Sequence, residues 1–161
     1  MDASLNDTHG TNKKQKRLMN KEPNEVTKLR ILQINLNKSI TAHLELINDL
    51  LAAYWDIILI QEPYITYFNS IRTPNRFTLV MPTLGEMLDA TVQSTIWVNS
   101  ALSTNKWKIL DIPNTNDIVA IKLKGDYSWL QIYSIYNAGE HSHSLTMLRR
   151  CMQDKQNNQQ D

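Results

Sequence analysis

Two short apolar runs that end in polar residues stand at the start of the patterned part of the chain. Residues 29–37 read Leu-Arg-Ile-Leu-Gln-Ile-Asn-Leu-Asn, and residues 57–64 read Ile-Ile-Leu-Ile-Gln-Glu-Pro-Tyr. Between them, apolar positions recur every three or four residues over 39–55, which predicts one amphipathic helix with Ser39 as its N-cap. A strand, a helix and a strand in this order predict a right-handed crossover that makes the two strands parallel.

The later part of the chain predicts mostly strands. Proline and glycine interrupt residues 64–91, which predicts a long loop with one strand at 77–81. Four further runs rich in Ile, Val, Trp and Tyr predict strands, at 94–98, 107–112, 118–123 and 129–136. Their spacing is typical of an antiparallel meander, and a helix is predicted at 144–152. The predicted fold class is therefore α/β (α+β), with a mixed β-sheet and flanking helices.

The length and polarity of the chain predict one ordered domain between two polar ends. The sequence has 161 residues and is 42% hydrophobic, enough for a single core. Residues 1–28 carry little to bury and are predicted to be a disordered basic and polar arm. Residues 29–152 form the predicted domain, and 153–161 a disordered tail.

Charge and cysteine content bear on the partners and the cellular compartment of the protein. Seventeen Lys and Arg against sixteen Asp and Glu leave a net charge of +1, which favours no partner class by itself. Cys151 is the single cysteine and is interpreted as a packing residue in a reducing compartment. With no secretory segment and no membrane-length apolar run, an intracellular location is predicted. The basic cluster at 13–17 is either a nuclear-targeting or phosphate-contacting segment or a chance feature of a polar leader.

Several common cofactor sites find no support in the sequence. The four glycines are too far apart for a phosphate-binding loop, and no CxxC pair occurs. His43 falls on the predicted helix. His141 and His143 alternate, but a solvated loop is the favoured interpretation because no third zinc ligand lies near them.

Three polar residues follow or end predicted strands and are the candidate site. Asn35 and Glu62 are expected at the carboxyl edge of the two parallel strands, where ligands bind in open α/β sheets. Glu62 offers Mg²⁺ a carboxylate, Asn35 an amide oxygen, and Tyr136 a phenol that can donate to a phosphoryl oxygen. Taken singly, each has an ordinary alternative: a turn former, a solvated loop residue and a packing residue.

Their joint arrangement resembles a known family. Strand-Asn, helix, strand-Gln-Glu-Pro-Tyr and a meander ending in Ile-Tyr-Asn-Ala-Gly are similar to the amino-terminal half of the endonuclease/exonuclease/phosphatase family. The pairing of Gln-Glu-Pro-Tyr with Asn-Leu-Asn-Lys-Ser most resembles the apurinic-like endonuclease domain of LINE-type (non-LTR) retrotransposons. The resemblance covers about residues 29–150. It implies a two-sheet α/β sandwich that cleaves phosphodiester or phosphomonoester bonds with Mg²⁺.

The resemblance also assigns roles. It implies that Asn35 organises the catalytic site, that Glu62 binds the metal ion, assisted by Asn35, and that Tyr136 contacts the scissile phosphate of DNA. The family's later Asp-x-Asn and Asp-His motifs are absent after Tyr136, and Glu140 is the one spare carboxylate near the expected edge. The expectation is a truncated endonuclease-like domain of doubtful activity, derived from a retrotransposon whose reading frame includes a reverse transcriptase.

Two alternatives stay open at this point. The missing half would supply much of the second sheet, so one face of the first sheet is expected to be uncovered. A non-catalytic protein that binds nucleic acid or another protein, or forms a homo-oligomer through that face, is the second hypothesis. A phosphatase of the same family, acting on lipids or small molecules, is the third.

Overall fold

The described part of the chain folds into two β-sheets. The computed structural model of the chain describes residues 28–83, 91–125, 128–139 and 142–157. In these ranges the first sheet has the strand order β1-β2-β4-β3 and the second has the order β5-β6-β7. The strands are β1 (Ile31–Asn35), β2 (Ile57–Gln61), β3 (Phe77–Val80), β4 (Ser94–Asn99), β5 (Trp107–Leu110), β6 (Ile118–Lys124) and β7 (Trp129–Ile135).

The predicted crossover is present, but its helix is broken. Strand β1 runs parallel to β2, and helices α1 (Ile40–Asn48) and α2 (Leu51–Tyr54) connect them. The Oγ of Ser39 caps α1 by accepting the Ala42 N–H at 3.2 Å. The prediction of one continuous helix is wrong at Asp49, whose backbone is extended and whose Oδ1 accepts the Leu50 N–H at 2.7 Å. This local hydrogen bond competes with the helical one.

One face of the first sheet packs against the helices. Alternation along the strands places Ile58, Ile60 and Trp97 on this face, where they meet Leu46 and Leu51. The two isoleucines and the tryptophan are fully buried. Burying each such side chain stabilises the fold by roughly 1.5–3 kcal/mol, so this layer fixes the crossover against the sheet.

The opposite face of the first sheet packs against the second sheet. Ile57 and Ile96 of the first sheet share a buried cluster with Val119, Ile121 and Ile132 of the second. Mixed α/β content in two sheets with three helices confirms the predicted fold class. The predicted meander is wrong in one respect, because β4 lies between β2 and β3 in the first sheet.

The expected uncovered face is therefore mostly covered. The second sheet lies over β2 and β4, which buries the face that was expected to be open. Strand β1 is the part left out: alternation places Ile31, Gln33 and Asn35 on this face, and all three are exposed. In the described part of the chain, the large apolar side chains of the strands that remain exposed lie on outer strands: Ile31 of β1, Ile109 of β5, and Trp129 and Leu130 of β7.

Helix α3 (His143–Asn157) covers part of the outer face of the second sheet. Met147, Leu148 and Cys151 pack there against Ile118 and Ala120. This agrees with the interpretation of Cys151 as a packing residue. The helix continues past residue 152, because the Gln and Lys residues that follow have good helix propensity. The predicted helix end at residue 152 is therefore too early.

Several predicted features lie outside the described residues. They are the polar arm up to residue 27 with its basic cluster at 13–17, Glu140, His141 and residues 158–161. Within the described ranges, no helix combines the length and the apolarity that crossing a lipid bilayer requires.

Candidate functional site

The ends of three strands meet at one edge of the sandwich. Asn35 lies beside Gln61 in the parallel register of β1 and β2. The side chain of Gln61 then crosses to the second sheet, where its Nε2 donates to the Ile135 carbonyl at 2.5 Å. Because Glu62 follows Gln61 and Tyr136 follows Ile135, the backbones of all three candidate residues are brought to this edge.

Asn35 holds the turn that leaves β1. Its Oδ1 accepts the Asn37 N–H at 2.7 Å, which is an Asx turn. Asn37 and Lys38, the second and third residues after Asn35, have φ values of 48° and 54°. One lone pair of the Asn35 amide oxygen is thus engaged locally, while its Nδ2 retains two donors. The side chain is exposed at the edge, where it can donate to an oxyanion.

Glu62 is held in an unusual backbone conformation. Its φ of 47° lies in the left-handed region, which residues other than glycine, asparagine and aspartate seldom adopt. Two backbone hydrogen bonds fix it there: its N–H donates to the Gln93 carbonyl at 2.8 Å, and its carbonyl accepts from the Lys38 N–H at 2.9 Å. Its half-buried carboxylate has no hydrogen bond or ion pair with any described residue. Such strain at a polar rim is typical of a functional position.

Tyr136 is fixed by a residue that the sequence did not single out. Its N–H donates to the Asp117 carbonyl at 2.8 Å, which extends the pairing of β6 and β7 by one step. Asp117 is buried, and its Oδ2 accepts the Ser144 hydroxyl at 2.9 Å. A carboxylate therefore lies next to the candidate edge, engaged with the first turn of α3. The turn-like sequence around Asp117 gave no signal of this contact.

A second contact between the sheets lies behind the edge. The Ser94 hydroxyl donates to the Ser134 hydroxyl at 2.7 Å, and both residues are buried. The serine pair ties the end of β7 to the start of β4, and Gln61 ties it to the end of β2. Gln61 and the two serines were missed by sequence reasoning because their partners are distant along the chain.

The residues at the edge fit Mg²⁺ only in a limited way. Among the described residues, no group of three or more His, Cys, Asp or Glu side chains is placed to hold a metal ion. Glu62 offers one carboxylate, and Asn35 offers the remaining lone pair of its amide oxygen. Mg²⁺ is commonly bound by one or two carboxylates together with water and substrate phosphate. The donor set therefore suits an ion that arrives with a phosphate, rather than one held by the protein alone.

Comparison with solved structures shows a likeness at the level of the fold. A similar solved structure is the endonuclease domain of TRAS1, a telomere-specific non-LTR retrotransposon. The likeness has a TM-score of 0.57 at 23% sequence identity and covers 80% of this chain. No family model matches the chain, and no curated protein matches it.

That likeness shows the fold. The two-sheet arrangement with flanking helices found here is an α/β endonuclease-type fold. This chain spans 54% of the length of the TRAS1 domain, so it corresponds to about half of it.

Proposed function

We propose that this chain is a nuclease-like domain of the endonuclease/exonuclease/phosphatase family, derived from a LINE-type retrotransposon, which binds DNA together with Mg²⁺. The fold likeness to a retrotransposon endonuclease domain supports this, and so do the strand-end motifs around Asn35 and Glu62. The observation that carries the proposal is the Gln61 bridge, which brings the ends of β1, β2 and β7 to one edge.

The proposed roles follow from the chemistry of the three residues. Glu62 would bind Mg²⁺ through its carboxylate, which no described residue engages, and the strained backbone would hold that carboxylate at the rim. Asn35 would complete the ion's surroundings through its amide oxygen or donate a hydrogen bond to a phosphate oxygen, and Tyr136 would donate a hydrogen bond from its phenol to the scissile phosphate. When bound, Mg²⁺ would polarise the phosphate and activate water for in-line attack.

Cleavage by this chain alone is proposed to be weak or absent. Hydrolysis of a phosphodiester needs a base for the water and stabilisation of the leaving oxygen. The residues after Tyr136 contain neither the Asp-x-Asn nor the Asp-His motif of the family. Because groups of this kind act as a unit, losing them removes most of the rate together. Binding, rather than turnover, is therefore the direct readout of the site.

The test measures DNA binding with and without the metal ion. A fluorescently labelled duplex is titrated with protein in Mg²⁺ and in EDTA, and supercoiled plasmid is assayed for nicking in parallel. We expect Mg²⁺ to tighten binding by the unaltered chain and Glu62→Gln to abolish that gain. Glu45→Gln, an exposed glutamate on α1, is the matched control and should behave like the unaltered chain. Equal affinity in Mg²⁺ and EDTA for the unaltered chain would refute the proposed metal site.

A second candidate function is self-association or protein binding through the outer strands. Among the described strands, β7 has β6 as its one neighbour, so it lies at the outside of its sheet, a position from which strands can associate with another chain. Leu130, which alternation places on the face toward the first sheet, is 51% exposed, and Ile31 of β1 is 40% exposed. These features favour association with another chain through the outer strands β1 and β7.

A further inference from the structure

A tight turn presents two aromatic rings to solvent just after Glu62. Tyr67 is 97% exposed and Phe68 is 87% exposed, although both are large and apolar or nearly so. Their ring centroids lie 5.6 Å apart at an interplanar angle of 80°, an edge-to-face contact. Neither ring belongs to the core, so folding does not account for them.

The turn is closed by its own hydrogen bonds. The Thr66 N–H donates to the Ser70 carbonyl at 2.9 Å, and the two hydroxyls of these residues lie 2.7 Å apart. The Asn69 N–H donates to the Thr66 carbonyl, and Asn69 has a φ of 55°, which asparagine tolerates well. The aromatic residues therefore project from a defined turn, which lowers the entropy that binding would cost.

His43 anchors both ends of the loop that carries the turn. This buried histidine on α1 accepts the Tyr64 N–H at its Nδ1, at 3.2 Å. Its Nε2 lies 2.8 Å from the Arg72 carbonyl, and because a carbonyl only accepts, Nε2 must carry the proton. One neutral imidazole thus holds the loop at residues 64 and 72, with its ring packed 5.6 Å from that of Trp97.

The loop and α1 enclose an open groove of about 320 Å³. Its lining is largely aromatic and aliphatic, including Tyr64, Tyr67, Phe68 and Leu44. The polar residues His43, Thr66, Ser70 and Arg72 also line it. No carboxylate is among the described lining residues. An open, largely apolar groove with one cation and no carboxylate among its described lining residues suits a planar base carried on a phosphate backbone.

We propose that the turn bearing Tyr67 and Phe68 is a stacking platform for unpaired bases of a nucleic-acid strand, with Arg72 contacting the backbone phosphate. This deepens the proposed function, on which it rests, by naming the strand conformation that the site would take. Tyr64, which lines the groove, lies two residues from Glu62 in the chain, so a strand on the platform would continue toward the candidate edge. Because every base has a π-face, such stacking tolerates any sequence.

The test uses a labelled oligothymidylate in EDTA, so that its outcome does not depend on the metal site. The double variant Tyr67→Ala/Phe68→Ala should weaken binding about tenfold or more, and Tyr67→Trp should retain it. Arg72→Gln should weaken binding less and reduce the salt dependence by about one counterion. The controls are Tyr54→Ala and Leu50→Ala, exposed side chains on and beside α2, which should bind like the unaltered chain.

The outcomes separate this inference from the proposed function. Unchanged binding by the double variant would overturn the platform, even if Glu62 and Mg²⁺ behaved as proposed. Platform-dependent binding with no Mg²⁺ effect would support the platform and refute the metal site.

Binding to vesicles of phosphatidylserine and sedimentation of the protein alone are measured in parallel. Loss of vesicle binding or of self-association in the double variant, with oligothymidylate binding unchanged, would assign the aromatic tip to a membrane or to a second copy instead.

Discussion

At the scale of single residues, Glu62 adopts a backbone conformation that lowers the stability of the fold. A left-handed backbone is unfavourable by roughly 1–2 kcal/mol for a side chain with a Cβ, and glycine avoids it. The carboxylate makes no hydrogen bond or ion pair with a described residue that would offset this loss of stability. The strain therefore argues that Glu62 is present for what it binds and not for stability.

Glu62→Gly is expected to keep or raise the stability of the fold. Glycine raises the entropy of the unfolded chain, which costs about 0.4–1 kcal/mol of stability, and the relief of strain matches or exceeds that cost. The net gain in the free energy of unfolding should therefore lie between zero and about 1.6 kcal/mol. Urea unfolding followed by circular dichroism measures it. Glu45→Gly, at an exposed glutamate within α1, is the control and should lose about 1 kcal/mol, because glycine disfavours a helix interior. A clear loss in Glu62→Gly would mean that the carboxylate supports the fold.

Arg30 and Asp56 form the ion pair at the start of the sandwich. Arg30 Nη2 lies 2.8 Å from Asp56 Oδ1, and the Arg30 N–H donates to Oδ2 at 2.9 Å. The hydrogen bond to Asp56 raises the pKa of Arg30, while desolvation opposes the rise. A cation with a raised pKa stabilises the fold fully at every pH below its ordinary value, so this contribution is constant through the neutral range.

Asp56→Asn should therefore destabilise the fold by about 2 kcal/mol, because it removes charge-assisted hydrogen bonds to a partly exposed arginine. The urea midpoint at neutral pH gives the value. Asp111→Asn, at an exposed aspartate, is the matched control with little expected change. A loss of equal size in both variants would point to a general charge effect rather than to the Arg30 contact.

What the sequence revealed at this scale depended on distance along the chain. Asn35 and Glu62 were identifiable because each follows a patterned apolar run. The Gln61 contact with Ile135 was not, since 74 positions separate the two residues. Tyr67 and Phe68 were passed over because aromatic residues ordinarily indicate a core.

At the scale of elements, the positions of the strands were predictable and their partners were not. The seven strands in the described part of the chain all fall on predicted apolar runs, with ends shifted by one or two residues. Strand β4 was assigned to the meander because neighbours in sequence usually pair. It instead became an inner strand of the first sheet, where all six of its residues are buried. Apolar side chains on both faces, such as Ile96 and Trp97, were the available signal.

The Ser94 and Ser134 pair tests how the two sheets are joined. Removing either hydroxyl leaves the other buried without its partner, so Ser94→Ala and Ser134→Ala should each lose about 1–2 kcal/mol. The double variant should lose less than the sum, because no unpaired hydroxyl remains. Unfolding free energies for the cycle give the coupling. Additive losses would show that the pair does not connect the sheets energetically.

At the scale of the whole molecule, the position of β7 at the outside of its sheet is the feature on which the second candidate function rests. An exposed strand edge with an apolar side chain such as Leu130 favours pairing between chains. If the second candidate function holds, the protein should show concentration-dependent mass in sedimentation equilibrium, and Leu130→Lys should remove it. Leu145→Lys, at an exposed position of α3, should leave it unchanged. A monomer at all concentrations would reject that candidate.

The contact between His43 and Trp97 gives the molecule a built-in optical reporter. Trp97 is wholly shielded from water, and the imidazole beside it also holds the loop that carries the aromatic tip. Any ligand that shifts this loop will change the surroundings of the indole. Its fluorescence lifetime should therefore respond to ligand binding without an added label, and Trp97→Phe would identify that component of the emission.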